Sequence, residues 1–186
     1  MARTHPPPQR GCEPHPGFAR RRDDSEWRTV FKLDSEKALL AAFRPRDRKV
    51  VELPAHTAFP LVVHDYFAWT HPAGGRVYLV FAIPGGAPTG IRFDNYGGGL
   101  GPAVPHMCDW CHSPGMGTSV GMLSTYVNAK KRVGVHVCID LSCQQKLEDE
   151  ADRGGYSARP AIEKLIARMG QFASEALKIS PQAARR

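Results

Sequence analysis

The hydrophobic positions of the chain fall into three blocks with different spacing. The first block, residues 59–96, holds runs of β-branched and aromatic residues at 59–70, 76–83 and 91–96, separated by the turn sequences HPAGG and PGGAPTG. Such runs between Gly and Pro clusters predict an antiparallel meander. The middle run, RVYLVFAI, is apolar on both faces, which predicts a central, covered strand.

The second block predicts a β-hairpin. The runs SVGMLSTYV (119–127) and RVGVHVC (132–138) flank the polar turn NAKK. In the second run, valines alternate with Gly134 and His136. Alternation of this kind is typical of a strand with one buried face.

Helical patterns precede and follow these strands. DSEKALLAAF (34–43) starts with a capping residue, Asp34 or Ser35, and ends at the sequence RPR. Residues 141–152 have helical composition. The third block, 159–178, predicts an amphipathic C-terminal helix that docks on the sheet. Its apolar stripe consists of Ile162, Leu165, Ile166, Met169, Phe172, Ala173, Ala176 and Leu177.

The charge distribution favours an acidic partner. The net charge is +7, and residues 1–50 hold 12 Lys and Arg against 7 Asp and Glu. That excess suits RNA, a ribosome or an acidic protein, although a solvated arginine-rich tail has the same composition. No run approaches the roughly 18 apolar residues of a membrane span. The N-terminus lacks the apolar core of a signal peptide, so we expect a cytosolic protein with reduced thiols.

Four of the five cysteines fit one metal site. Cys108 and Cys111 enclose two residues, Cys138 ends the second hairpin strand, and Cys143 lies near the start of the helical segment 141–152. A tight turn and a strand-to-helix junction can each aim two thiolates at one tetrahedral zinc ion. The helix N-terminus favours the thiolate form. The turn that carries Cys108 and Cys111, which we call the knuckle, is followed by the hairpin and then by the helix, and this order is the treble-clef arrangement. The fifth cysteine, Cys12, lies in the N-terminal segment.

Other interpretations of the cysteines stay open at the level of sequence. CDWCH matches the haem-attachment pattern, but that chemistry normally needs an exported chain and leaves the second cysteine pair unexplained. A thioredoxin-like redox pair would open a helix, whereas Pro114, Gly115 and Gly117 follow here. Another alternative to a metal site is that all four cysteines are buried free thiols. His112 or His136 could also replace one cysteine as a ligand.

The motifs favour a binding protein over an enzyme. Four thiolates leave zinc no open coordination position for water. The carboxylates within 148–152 are typical of a solvated helix face, and no GxSxG, HExxH or phosphate-binding loop occurs. No small-molecule substrate site is evident.

The predicted fold class is α+β: an antiparallel β-meander plus a treble-clef four-cysteine zinc finger, with a C-terminal amphipathic helix. Residues 1–26, rich in Pro and Arg, predict a disordered basic tail. Residues 27–186 predict a single zinc-binding domain. Within it, 27–100 form the sheet half, 101–155 the finger, and 156–186 the C-terminal helix and tail.

The segments CDWCHS, GMLSTYV and KKRVGVHVCIDLSC resemble the C-terminal treble-clef zinc-finger domain of the elongation factor G-binding proteins, the FusB-type fusidic acid resistance family. The upstream sequence FPLVVHDYFAWTHPAGGRVYLVF resembles that domain's sheet. The resemblance implies one structural zinc ion held by Cys108, Cys111, Cys138 and Cys143.

The resemblance also implies a partner. Family members bind elongation factor G, and resistance types free the factor from drug-stalled ribosomes. We therefore expect this chain to engage elongation factor G or the ribosome, through a zinc-side surface that includes His112, Lys130, Lys131 and Arg132. Resistance proteins carry an N-terminal helical bundle, where this chain has one short predicted helix. From the residues alone, the basic tail and the AKKR turn suggest an alternative, a zinc-dependent RNA-binding module.

Overall fold

The structure is a computed structural model that describes residues 30–95 and 104–179. The predicted tail, with Cys12, and residues 96–103 lie outside the described residues. In chain order the elements are β1 (Val30–Leu33), α1 (Glu36–Ala42), α2 (Pro45–Arg48), β2 (Leu61–His64), β3 (Tyr66–Thr70), β4 (Arg76–Phe81), β5 (Thr89–Asp94), β6 (His106–Met107), β7 (Pro114–Gly115), β8 (Val120–Tyr126), β9 (Arg132–Cys138), α3 (Cys143–Gly154), α4 (Arg159–Gln171) and a π-helical turn (Phe172–Ala176).

The predicted meander and the predicted hairpin form one five-stranded antiparallel sheet, in the order β3-β4-β5-β8-β9. Strands β5 and β8 pair at Asp94 and Ser124. Strand β4 is buried at every position from Val77 to Phe81, which confirms the predicted central strand. Together with α4 and the clustered cysteines, this arrangement confirms the predicted α+β fold class.

One predicted strand is divided in the structure. The run 59–70 breaks at Asp65, which has a φ of 66°. Asp is one of the few residue types that enter this left-handed region without a large steric cost. The half before the break, β2, pairs with β1 to form a separate two-stranded sheet. We did not predict β1, because four residues are too short to show a period.

The N-terminal helix begins and ends where the sequence predicts. Ser35 is the N-cap of α1, and its side-chain oxygen accepts a hydrogen bond from the Ala38 amide at 3.2 Å. The sequence RPR ends this helix but also starts α2, which we did not predict. Pro45 occupies the first turn of α2, where the missing amide hydrogen costs nothing.

Two cores lie on opposite faces of the sheet. On one face, Trp69, Tyr78 and Val80 pack against residues of α1, β1 and β2. On the other face, strand residues such as Leu79 and Phe93 pack against α4. The buried members of the predicted C-terminal stripe belong to this second core, so the helix docks on its own sheet as predicted: Ile162, Leu165, Ile166, Met169, Ala173 and Leu177. Within residues 30–95 and 104–179, no helix is both long and apolar enough to cross a membrane.

Candidate metal centre

The first cysteine pair lies in a tight turn between β6 and β7. The Cys108 amide donates to the Ser113 carbonyl at 3.0 Å, and the His112 amide donates to the Cys108 carbonyl at 2.9 Å. These two bonds close the turn. The Cys111 amide then points at the Cys108 sulfur, at 3.4 Å. The backbone therefore directs both sulfurs to the same side of the knuckle.

The second pair lies at the predicted strand-to-helix junction. Cys138 is the last residue of β9, and Cys143 is the first residue of α3. Between them, Leu141 has a φ of 56°, and its amide donates to the Cys138 carbonyl at 2.9 Å. The Ser142 amide donates to the Asp140 carboxylate at 3.1 Å. This turn reverses the chain, so that the two sulfurs approach the knuckle from the other side.

The four sulfurs converge. Those of Cys108, Cys111, Cys138 and Cys143 all lie within 4.8 Å of one another, and all four residues are buried. The Cys108–Cys143 and Cys111–Cys138 sulfur pairs are each 3.7 Å apart. A tetrahedral zinc ion with bonds of about 2.3 Å holds its sulfurs about 3.8 Å apart. The cluster therefore suits one structural zinc ion.

Electrostatics also favour a cation among the sulfurs. The Cys108 contact lowers the pKa of Cys111 and raises the pKa values of Cys138 and Cys143 above the ordinary thiol range. For Cys108, the Cys111 contact raises the pKa, but the contacts with Cys138 and Cys143 bring it down to about 6. Four thiolates this close repel one another. A divalent cation removes that repulsion and lets all four ionise.

Lys146 stabilises the negative charge of the four-sulfur cluster. Its Nζ donates to the Cys138 sulfur at 3.2 Å, from one turn into α3. Burial alone lowers the lysine pKa, but the hydrogen bond and the charge of Cys138 outweigh it, and the net shift is upward. Four thiolates on Zn²⁺ carry a net charge of about −2, which this ammonium group partly offsets. We did not predict this contact, because no pattern in the sequence indicates it.

Tyr66 ties the main sheet to the turn between the second pair of cysteines. Its hydroxyl donates to the Leu141 carbonyl at 2.5 Å and accepts from the Gln144 amide at 3.0 Å. Burial, followed by the charge of Cys143, raises the pKa of Tyr66 above its ordinary range. The neutral phenol can therefore make both bonds. Sequence reasoning placed Tyr66 in a generic strand and missed this role.

Trp110 anchors the knuckle to the core. It lies between the first two cysteines, is 2% exposed, and meets Phe93 and Phe172 edge to face at 5.9 and 6.1 Å between ring centroids. Its carbonyl accepts a hydrogen bond from Arg168 of α4 at 2.5 Å. A tryptophan inside a CxxC pair could have signalled such an anchor, but its partners are distant in sequence.

The two histidines considered as replacement ligands, His112 and His136, lie outside the four-sulfur cluster. His112 is exposed, with a φ of 61°. The backbone of His136 pairs with Asp109: the Asp109 amide donates to the His136 carbonyl at 2.7 Å, and the His136 amide donates to the Asp109 carboxylate at 3.0 Å. Within the described residues, the group that could hold a metal consists of cysteines alone.

The four predicted partner-binding residues do not lie together. His112 follows the knuckle, whereas Lys130 and Lys131 are exposed in the turn at the tip of the hairpin. Strand β9 separates that tip from Cys138, a distance of about 20 Å at about 3.3 Å per residue. The hairpin tip is therefore at the end of β9 opposite the cysteines. The expectation that all four share a zinc-side surface is wrong in this respect, and their partner role stays a prediction.

Arg132 is also engaged within the protein. Its guanidinium contacts the Asp94 carboxylate at 2.8 Å and the Ser124 hydroxyl at 3.0 Å, and it lies 4.3 Å from the centroid of the Tyr126 ring. Arg92 holds the other oxygen of Asp94 at 2.6 Å. A structural role for Arg132 therefore accompanies its predicted role in binding.

Comparisons with known proteins identify a family and a similar solved structure. The family model "FBP C-terminal treble-clef zinc-finger" matches residues 36–177, which include all four clustered cysteines. The solved "Structure of the fusidic acid resistance protein FusC" is similar at 20% identity and a TM-score of 0.43. That match covers 68% of this chain and 58% of FusC, so the chain aligns with little more than half of the resistance protein. No curated protein matches in sequence. The chain belongs to the FBP C-terminal treble-clef zinc-finger family, which confirms the resemblance to FusB-type proteins.

Proposed function

We propose that this chain is a non-enzymatic binding protein that engages elongation factor G or the ribosome. The observation that carries the proposal is the family match over residues 36–177, a span that includes the whole four-cysteine cluster. FusB-type relatives act by binding that factor. The same function is expected of a finger whose fold and cysteine framework they share.

The donor set supports a structural role for the metal. Four sulfurs complete the tetrahedral preference of zinc, so the ion would stabilise a surface and would not activate water. Structural zinc contributes roughly 10–16 kcal/mol of apparent binding free energy in small fingers, against a typical net domain stability of about 5–15 kcal/mol. The hairpin-helix portion would therefore depend on zinc to present its docking surface.

Two ends of the hairpin are candidate contact faces. At the zinc end, His112 borders a surface depression with Lys146, Arg153 and Tyr156. At the other end, Lys130 and Lys131 are exposed, and their backbone amides donate to the Asn128 side-chain oxygen at 2.9 Å each. Asp149 and Glu150 also line the depression at the zinc end, so the positive charge that would steer an acidic partner lies at the hairpin tip.

The test is binding of purified elongation factor G to the full, zinc-loaded chain, measured by calorimetry. We expect the paired substitution Lys130→Glu and Lys131→Glu to weaken binding about tenfold, because a reversed charge in an electrostatic interface repels the partner. His112→Asn tests the zinc end, since Asn tolerates a positive φ. Lys164→Glu, on the exposed side of α4, is the matched control and should bind as the native chain does.

Two results would contradict the proposal. Elongation factor G would be rejected as the partner if calorimetry detects no heat of binding. The same holds if beads that carry this protein and bare beads recover equal amounts of the factor. Equal weakening by Lys164→Glu would show a general effect of net charge. Arg132 is left unchanged in these variants, because its reversal would break the contact with buried Asp94.

The finer proposal is that binding influences release of the factor. Labelled elongation factor G, stalled on ribosomes with fusidic acid, should dissociate faster in the presence of the native chain than with the hairpin-tip variant. An unchanged dissociation rate would leave a binding protein without a role in release.

A further inference from the structure

The outward face of the hairpin is partly open to solvent. Cross-strand pairs share a face, and those formed by Met122 with His136, Ser124 with Gly134, and Tyr126 with Arg132 point away from the core that contains Leu123 and Val135. Met122 is 59% exposed. We call this surface the open hairpin face, defined by Met122, Ser124, Tyr126, Arg132, Gly134 and His136.

Guanidinium groups surround one end of the open hairpin face. Arg132 lies 4.3 Å and Arg46 lies 5.6 Å from the centroid of the Tyr126 ring. Arg44 donates to the Tyr126 carbonyl at 2.6 Å, and Arg46 donates to the same oxygen. Helix α2 thus reaches across to the hairpin and holds these planar cations in fixed orientations. Fixed guanidinium forks match the oxygen geometry of phosphates.

The acidic partners of these arginines are buried beneath them. Asp47 is 4% exposed and Asp94 is 6% exposed. Lys130 and Lys131 add two exposed charges at the adjacent hairpin tip. Solvent at this end therefore meets a positive surface. The exposed carboxylates of Asp149, Glu150 and Asp152 lie elsewhere, on α3. Asp109, which accepts from the His136 amide, lies at the other end of the open hairpin face.

Flat rings lie at the other end of the open hairpin face. His106 of β6 stacks on His136 with 4.9 Å between ring centroids and 22° between planes. Both rings are half-buried, so part of each stays accessible. Tyr126 and Met122 are four residues apart on β8, which separates the two ends by about 13 Å at about 3.3 Å per residue. An extended chain of two to three nucleotides spans about that distance.

We propose that the open hairpin face binds single-stranded RNA, with phosphates held by Arg46, Lys130 and Lys131 and a base stacked on the His106–His136 pair. An acidic protein would use the cations but has no need of stacked imidazoles. Duplex RNA keeps its bases inside, away from these rings. This activity goes beyond binding of elongation factor G and does not depend on it.

The test measures anisotropy of a short fluorescein-labelled oligouridylate with the full, zinc-loaded chain at several salt concentrations. Three phosphate contacts on this face should contribute about −2 to the slope of log affinity against log salt, at about 0.7 per contact. Arg46→Gln should weaken binding and reduce the slope by about 0.7. His106→Ala should weaken binding about fivefold or more with the slope unchanged, because it removes a stacking surface and no phosphate contact.

The matched control is Lys164→Gln, which removes one exposed charge from α4 on the far side of the sheet. The basic N-terminal segment is present in every variant, so its contribution cancels. Zinc content and Tm verify that each variant is folded. If His106→Ala loses zinc, the double variant Lys130→Gln and Lys131→Gln is measured in its place. This double variant should reduce the slope of log affinity against log salt by about 1.4.

Three outcomes would overturn the proposal. The first is no detectable binding of oligouridylate at low salt. The second is equal weakening by Arg46→Gln and Lys164→Gln, which would indicate attraction by net charge. The third is preferential binding of a polyglutamate peptide, which would assign the surface to an acidic protein. Because elongation factor G is absent from the assay, these outcomes are independent of the proposed function.

Discussion

The hydroxyl of Tyr66 offers a sharp test of how the sheet supports the metal centre. Tyr66→Phe removes one oxygen and leaves the ring in place. The oxygen makes two bonds, to the Leu141 carbonyl at 2.5 Å and from the Gln144 amide at 3.0 Å. Both partners belong to the segment that carries Cys138 and Cys143. The substitution therefore loosens the second cysteine pair without altering a sulfur.

The expected loss follows from those two bonds. A hydrogen bond contributes about 1 kcal/mol net, and a buried group left without a partner costs more. Leu141 is 2% exposed, so water cannot readily replace the lost donor at its carbonyl. We expect a loss of about 2 kcal/mol in the free energy of unfolding, or roughly 4–8 °C in Tm. Zinc affinity should fall about tenfold, as it does when groups that orient metal ligands are removed.

The assay pairs urea unfolding with competition for zinc by a chromophoric chelator. Tyr78→Phe is the matched control, because its hydroxyl donates to the Val50 carbonyl at 2.8 Å on the other face of the sheet. That control should lose about 1 kcal/mol of stability and keep the native zinc affinity. Native zinc affinity in Tyr66→Phe, or an equal loss of zinc affinity in Tyr78→Phe, would show that the Tyr66 hydroxyl does not support the metal centre.

Three further perturbations follow from the same contacts. Trp110→Ala should destabilise the fold by about 3–5 kcal/mol in urea unfolding, because it leaves a cavity beside Phe93; a loss below about 1 kcal/mol would mean that the anchor is unimportant. Asp94→Asn should cost about 1–3 kcal/mol in the same assay, since it leaves Arg92 and Arg132 without their shared charge partner. Acidification should release zinc, because protons compete for the thiolates; zinc retained on acidification and lost on alkalinisation would contradict this sign.

Local patterns were enough to predict much of the fold. The hairpin, α1 and the C-terminal helix each follow from spacing within one segment. Pairing of β1 with β2 could not be predicted, because it joins Val30 to His64 across many intervening residues. The break at Asp65 was missed because the strand pattern continues on both sides of it. Addition of the hairpin to the meander also depends on a long-range pair, between Asp94 and Ser124.

The cysteine framework was predictable because a treble clef places its sulfurs at fixed positions relative to a hairpin and a helix. Its supporting residues were not, because Tyr66 and Arg168 reach the site from elements distant in sequence. The separation of Lys130 from His112 could have been predicted. Strand β9 has seven residues, and strand rise alone places its two ends about 20 Å apart.

Four sulfurs that enclose one zinc ion would shape the surface of the finger. X-ray absorption at the zinc edge of the purified native chain measures these ligands directly. We expect stoichiometric zinc with four sulfur neighbours at about 2.3 Å. Absence of stoichiometric zinc, or nitrogen and oxygen atoms among its nearest neighbours, would contradict the account.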